Sequence, residues 1–256
     1  MAVIAVVGNL SIDRVDGRPP SVGGGPYWAA RGLHEVPTPT TVVARSGDDD
    51  RDFVLPRLSE LGVPVQLLHG RTSSAFSIAY ENGARRMTVD AIGDAWTPDD
   101  VQHLDDDVRW VHVAPLLRSD FPPETLAELA RRCSVSLDAQ GLVRRSQLGP
   151  LAQDRDFDPA LLEHLTILKL AEEEAEVIGD VAALGVPEII VTLGERGALV
   201  IHDGVEQHVP TRPLNVANPT GAGDAFAMGY LAARSEGLGP VEAAARANAV
   251  AGAVIG

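Results

Sequence analysis

Asn218-Pro219-Thr220-Gly221-Ala222-Gly223-Asp224, followed by Ala225-Phe226-Ala227-Met228-Gly229-Tyr230-Leu231-Ala232-Ala233, organises the rest of the chain. Pro219 and three small residues stop regular structure just before a run long and apolar enough for a buried helix, which places the glycines at a helix N-terminus. The first amides of a helix lack intrahelical partners and carry the positive end of the dipole. Glycine lets an oxyanion approach them closely, so this is a candidate anion site. Asp224 fits such a site in two ways. It is a first-turn acid beside an ordinary tight turn, or it takes a proton from the group that attacks the bound anion.

Downstream, the alanine-rich segment from Pro240 to Val254 predicts a helix that contains Asn248. Upstream, Glu188 to Leu193 predicts a strand, Gly194-Glu195-Arg196-Gly197 a glycine-bounded turn, and Ala198 to His202 a returning strand, together an edge hairpin with exposed amides. Leu165 to Leu168 reads as a strand ending at Lys169, and Glu172-Glu173-Glu174 opens the next helix. Before these, Trp110 to Ala114 and Val135 to Leu137 read as strands around a helix from Pro123 to Arg132, and Asp158-Pro159 opens a short helix. Asp138-Ala139-Gln140-Gly141, with Arg144 close behind, lies off one of the polar strand ends.

The first third keeps the same alternation. Val3 to Val7 is a continuous apolar run, the pattern of a strand buried on both faces of a parallel sheet. Gly8 to Asp13 carries polar groups off its C-terminal end, where open α/β sheets bind ligands. Asp13 is there a turn residue or a hydrogen-bonding partner for a substrate hydroxyl. Gly23-Gly24-Gly25 runs into a helix, with Tyr27 and Trp28 as core or lid-packing aromatics. This cluster is too irregular for a dinucleotide fingerprint, which argues against an oxidoreductase. Thr41 to Ala44, Asp50 to Leu61 and Val63 to Leu68 continue as strand, helix, strand, with Asp48-Asp49-Asp50 as a solvated helix start. Ala75 to Tyr80 and Ala84 to Val89 flank Glu81-Asn82-Gly83 as a hairpin. Residues 14–22 and 72–89 are therefore expected to form a small β lid over Asp13, inserted in one α/β domain spanning 1–256.

Composition narrows the classes. The chain has 256 residues, 45% hydrophobic, enough to bury a full core. Its 36 acidic against 21 basic residues give a net charge of −15, which argues against a nucleic-acid or acidic-membrane surface. The single Cys133 leaves no intramolecular disulfide and no cysteine cage for a metal. The N-terminal apolar run lacks a basic leader and breaks at Gly8-Asn9, so a cytoplasmic location is expected.

Pro219 to Phe226 resembles the T-G-A-G-D-x-F signature of the PfkB (ribokinase-like) family of carbohydrate kinases. In matching order stand Gly8 to Asp13, Gly23-Gly24, Glu174 near Lys169, Thr192-Leu193-Gly194 with Gly197, and the late helix with Asn248. The resemblance covers nearly the whole chain. It implies a three-layer ribokinase-like α/β fold with a mainly parallel central sheet flanked by helices, plus a small β lid. It also implies transfer of the ATP γ-phosphate to a hydroxyl of a sugar, polyol or nucleoside. Asp224 would be the base, and the amides of Gly221, Ala222 and Gly223 the anion hole. Asp13, Ser11, Gly23 and Gly24 would shape the acceptor pocket, and Thr192, Gly194, Gly197 and Asn248 the nucleotide site. Glu174 would organise water around Mg2+. Family lids sometimes join protomers, and Phe76, Ile78 and Tyr80 would offer an apolar face for a homodimer.

The sequence also departs from the pattern. Trp28 stands where many members have a sugar-contacting asparagine, Asn218 replaces the aspartate that opens the signature, and Ala171 replaces the asparagine of N-x-x-E. The chain ends soon after Asp224, shorter than is usual for the family, as a truncated chain or a small nucleotide site would. These departures leave a second expectation: a catalytically weak polyol- or nucleotide-binding, or regulatory, protein on the same fold. Asp138-Ala139-Gln140-Gly141 and the Gly23-Gly24 loop are similar to an inositol- or sugar-kinase-like branch.

Overall fold

The first strand, β1 (Val3–Asn9), sends alternate side chains to opposite sides, Ile4 and Val6 into one hydrophobic cluster and Ala5 and Val7 into another. That is why its apolar run is continuous rather than alternating. The computed structural model describes residues 3–36, 38–81, 84–102, 104–212 and 220–255. Among them a nine-stranded sheet runs in the order β14 (Val205–Val209), β13 (Ala198–His202), β12 (Glu188–Thr192), β11 (Ile167–Ala171), β9 (Ser134–Asp138), β8 (Val108–Val113), β1, β4 (Thr40–Gly47), β5 (Val65–Gly70). From β12 to β5 every pairing is parallel, and β13 and β14 are antiparallel. One face carries α1 (Gly25–Gly32), α2 (Arg51–Ser59), α7 (Ala222–Ser235) and α8 (Pro240–Ile255). The other carries α3 (Pro98–Val101), α4 (Pro123–Ala130), α5 (Gln140–Val143) and α6 (Glu172–Ile178). The expected three layers, helix on sheet on helix, are present.

A second sheet of five strands has the order β10 (Gly149–Pro150), β7 (Ala84–Ala91), β6 (Ser74–Glu81), β2 (Ser11–Val15), β3 (Ser21–Gly23). Four corrections follow from the two sheets. Asp13 is not on a loop leaving β1. It lies inside β2, paired with Ser21 and Phe76, because the chain turns at Leu10 straight into the smaller sheet. The hairpin at Gly194–Gly197 is not the sheet edge, since β14 pairs outside β13. Four of the five residues of β14 are exposed, which left it without an apolar signal. β10 was also unforeseen, being two residues of turn type that pair with β7. Finally, Phe76 and Ile78 form no free face: both are buried with Val89 against Leu116 and Leu117, and only Tyr80 is exposed.

Candidate active site

Helix α7 starts where its glycines allow. Gly221, its N-cap, has φ 88°, a left-handed conformation that glycine adopts at no steric cost. A Cβ at Gly221 would also lie 2.8 Å from Cε3 of Trp28, so the indole is packed onto this turn. The first helical hydrogen bond runs from the Ala225 amide to the Gly221 carbonyl at 2.9 Å, which leaves the preceding amides as first-turn donors. Asn218 and Pro219 lie outside the described residues.

Asp224 projects from that first turn. It is half-buried, with protein close around it. Burial pushes its pKa up to about 7; Lys169 and Arg144 act to lower it, and Asp138 adds to the rise. The start of α1 closes over it. A Cβ on Gly25 would lie 3.4 Å from Asp224 Oδ1 and 2.4 Å from Ala114 Cβ.

The residues assigned to the acceptor pocket are held together by contacts too close for side chains. A Cβ on Gly23 would lie 2.2 Å from Asp13 Oδ2 and 2.8 Å from Ser11 Oγ, and one on Gly24 (φ 97°) 2.5 Å from the Asn9 carbonyl. Asp13 Oδ1 is buried and finds no partner among the described residues. Burial raises the Asp13 pKa, while a hydrogen bond from Ser11 and the charges of Arg85 and Arg144 oppose the rise. An unpartnered carboxylate oxygen is costly unless something else fills the place. Arg144 acts on both Asp13 and Asp224, so the two carboxylates share a cationic neighbour.

Beneath α7 lies a pair that motif reasoning did not assign. Lys169 of β11 and Asp138 of β9 are register partners, both buried, with Nζ 2.8 Å from Oδ2. A Cβ on Gly223 would sit 2.9 Å from Lys169 Nζ, which puts the ammonium directly under the helix start. Burial disfavours that charge, but Asp138, Glu174 and Asp224 together hold the Lys169 pKa above its ordinary value. Asp138 is held below its own, by Lys169 against the effect of burial. The adjacent His112 is pushed down to about 4 by burial, so it is neutral. The available signal was a lone lysine in an apolar strand (Ile167-Leu168-Lys169-Leu170) beside another strand ending in aspartate.

Glu174 is buried at the start of α6, with Oε2 accepting the Ala171 amide at 2.8 Å. Burial pushes its pKa up to about 7, Asp138 adds to this, and Lys169 and Arg144 oppose it. Among the described residues no three His, Cys, Asp or Glu side chains form a metal-holding group. A Mg2+ ion bound here would have to be carried mainly by water and phosphate, and Glu174 is the carboxylate that would hold its water.

The residues assigned to the nucleotide site gather at the far side of the same sheet end. Thr192 closes β12 and donates from Oγ1 to the Leu170 carbonyl at 3.1 Å. Gly194 and Gly197 form the following turn at φ 58° and 94°. A Cβ on Gly197 would come 2.1 Å from the Val209 carbonyl. Asn248 reaches the same segment, donating from Nδ2 to the carbonyls of Val209 (3.2 Å) and Pro210 (3.4 Å). Gly197 and Asn248 thus meet at 209–211, where Asn248 binds backbone.

Comparison with known proteins places this arrangement. Inositol 3-kinase of Zea mays is 35% identical over 49% of this chain, a match that spans 35% of that enzyme. Cytidine kinase of Thermococcus kodakarensis is 28% identical over 96% of this chain and 93% of its own length. Among solved structures, a pyrophosphate-dependent kinase in the ribokinase family, complexed with a pyrophosphate analog and myo-inositol, superposes with a TM-score of 0.82. It is 23% identical, over 98% of this chain and 94% of that one, and it establishes the ribokinase-like fold. The family model described as pfkB family carbohydrate kinase matches residues 11–256, and the chain belongs to that family.

Proposed function

We propose that the chain is a kinase that transfers the γ-phosphoryl group of ATP to a hydroxyl of a small polyol, sugar or nucleoside. The observation that carries this reading is a desolvated Asp224 on the first turn of α7, beside the Gly221-Ala222-Gly223 amides and facing the glycine turn next to Asp13. Asp13 and Ser11 orient the acceptor hydroxyls. Asp224 takes the proton of the attacking hydroxyl as its oxygen bonds to phosphorus and the bridging bond to ADP breaks. The first-turn amides receive the charge of the transferred group, as in-line positioning and charge stabilisation require. Glu174 would hold water around Mg2+, which would supply further charge neutralisation when bound with the donor. The smaller sheet acts as a lid that keeps water from the cleft.

Pyrophosphate is the second donor to test. A solved neighbour is pyrophosphate-dependent, and the side-chain amide of Asn248 is spent on the Val209 and Pro210 carbonyls rather than left for a base. Myo-inositol and cytidine head the acceptor panel, as compounds named for the relatives. No described helix is long and apolar enough to cross a membrane. A homodimer through the smaller sheet would have to be built around Tyr80, since Phe76 and Ile78 are buried within the chain.

The test is product formation from each acceptor with ATP or pyrophosphate, in the native protein and in Asp224→Asn. General-base removal should lower turnover about 10²- to 10⁴-fold with the fold intact. Undiminished turnover in the variant would remove Asp224 from the mechanism. Acceptor or nucleotide binding by calorimetry with no product from any pair would instead favour the regulatory-protein reading.

A further inference from the structure

The Lys169–Asp138 pair is hard to explain as a stabilising device. A buried ion pair gives little net stability over apolar residues of the same size, and its strand neighbours Ile167, Leu168 and Leu170 are fully packed apolar side chains. The position is also electrostatically adverse. An ammonium beneath the N-terminus of a helix opposes the positive end of the dipole, where an anion would be favoured. Lys169 is nevertheless held there, 2.8 Å from Asp138 and against Gly223, the residue that precedes Asp224.

We propose that Lys169, locked to Asp138 beneath Gly223, is a positioning residue that keeps Asp224 in its proton-accepting form. The inference rests on the reading of Asp224 as the base. The charges that face Asp224 are Lys169 from β11, Asp138 from β9 and Arg144 from the segment after α5. Those that face Lys169 are Asp138, Glu174 and Asp224. Burial alone drives Asp224 toward its neutral acid, which cannot accept a proton. Lys169 is the largest opposing influence, and Asp138 works the other way by repulsion. The two members of one ion pair therefore act on the base with opposite sign, and Asp138 is kept because it fixes the lysine in place.

Opposite signs give a readout that a scaffold role would not produce. The proton affinity of Asp224 is measured by carbon-detected NMR titration of its carboxyl, assigned by its loss in Asp224→Asn, and independently from the acidic limb of kcat. Lys169→Met should move both midpoints to higher pH by about one unit or more, as loss of a close opposite charge does. For a one-unit shift turnover should then fall about fivefold more at pH 7 than at pH 9. Asp138→Asn should move the NMR midpoint to lower pH. Should Lys169→Met fail to fold around a lone buried Asp138, Lys169→Met/Asp138→Asn buries no charge and should still shift the midpoint upward, by less. An unmoved Asp224 midpoint in the folded lysine variants, or equal loss of turnover at every pH, overturns the proposal. If the NMR midpoints move as stated but no donor and acceptor give product, the kinase reading fails and the electrostatic role of Lys169 stands.

Discussion

Asp224, the base of the proposed reaction, is held where its charged form is disfavoured. Its folded pKa is raised from 3.8 to about 7 by burial, so the native state favours the protonated acid. The stabilisation this brings is complete below about pH 4, and it is lost as pH rises through about 7. Glu174, raised by burial to about 7, follows the same course. Asp224→Asn should accordingly melt higher than the native protein at pH 8, with the advantage shrinking toward pH 4. Calorimetric melting at the two pH values checks this, and about 1 kcal/mol corresponds to roughly 2–4 °C in a chain of this size. Asp224 was legible because its chemistry clashes with its neighbours along the chain. Lys169 was legible only as a strand end, since its meaning comes from Asp138, which is brought opposite by the register of β9 and β11.

At the scale of the element, α7 is defined by the turn that starts it. Gly221 combines a left-handed backbone with the indole of Trp28 pressed against it, so Gly221→Ala incurs two penalties. Gly237, at φ 90° with nothing within 4 Å of a Cβ, incurs only the first. Each substitution should cost about 1–2 kcal/mol of backbone strain in a thermal melt. Gly221→Ala should also displace the first-turn amides and reduce kcat, whereas Gly237→Ala should leave kcat unchanged. The glycine-started helix, the β6–β7 hairpin and the βα alternation were all readable, because each has a local period or a local breaker. β14 and β10 were not: the first is an exposed edge strand, and the second is a two-residue strand visible only through its pairing with β7. Asp13 was read as lying off the end of β1, whereas it lies inside β2 of the smaller sheet, since Leu10 carries no turn signal.

For the whole molecule, the smaller sheet limits how a dimer through it could be built. Its Phe76 and Ile78 are spent on Leu116 and Leu117, which ties the sheet to the segment after β8 and leaves Tyr80 as the exposed aromatic. A dimer joined through that sheet should dissociate when Tyr80 becomes Ser. Analytical ultracentrifugation of the native chain and the Tyr80→Ser variant tests this, and a native mass of 27.0 kDa at working concentration would rule the dimer out. The order of the layers was readable from the sequence, but the placement of β1 between β4 and β8 was not, since no local pattern encodes which distant strands will pair. The contact of Gly25 with Asp224 has a consequence for synthesis. The Gly23–Gly25 turn is synthesised long before Asp224, and α1 cannot dock on α7 until α7 has been made. In the proposed reaction the acceptor-side residues are thus made well before the base, and phosphoryl transfer has to wait until α7 has docked on α1.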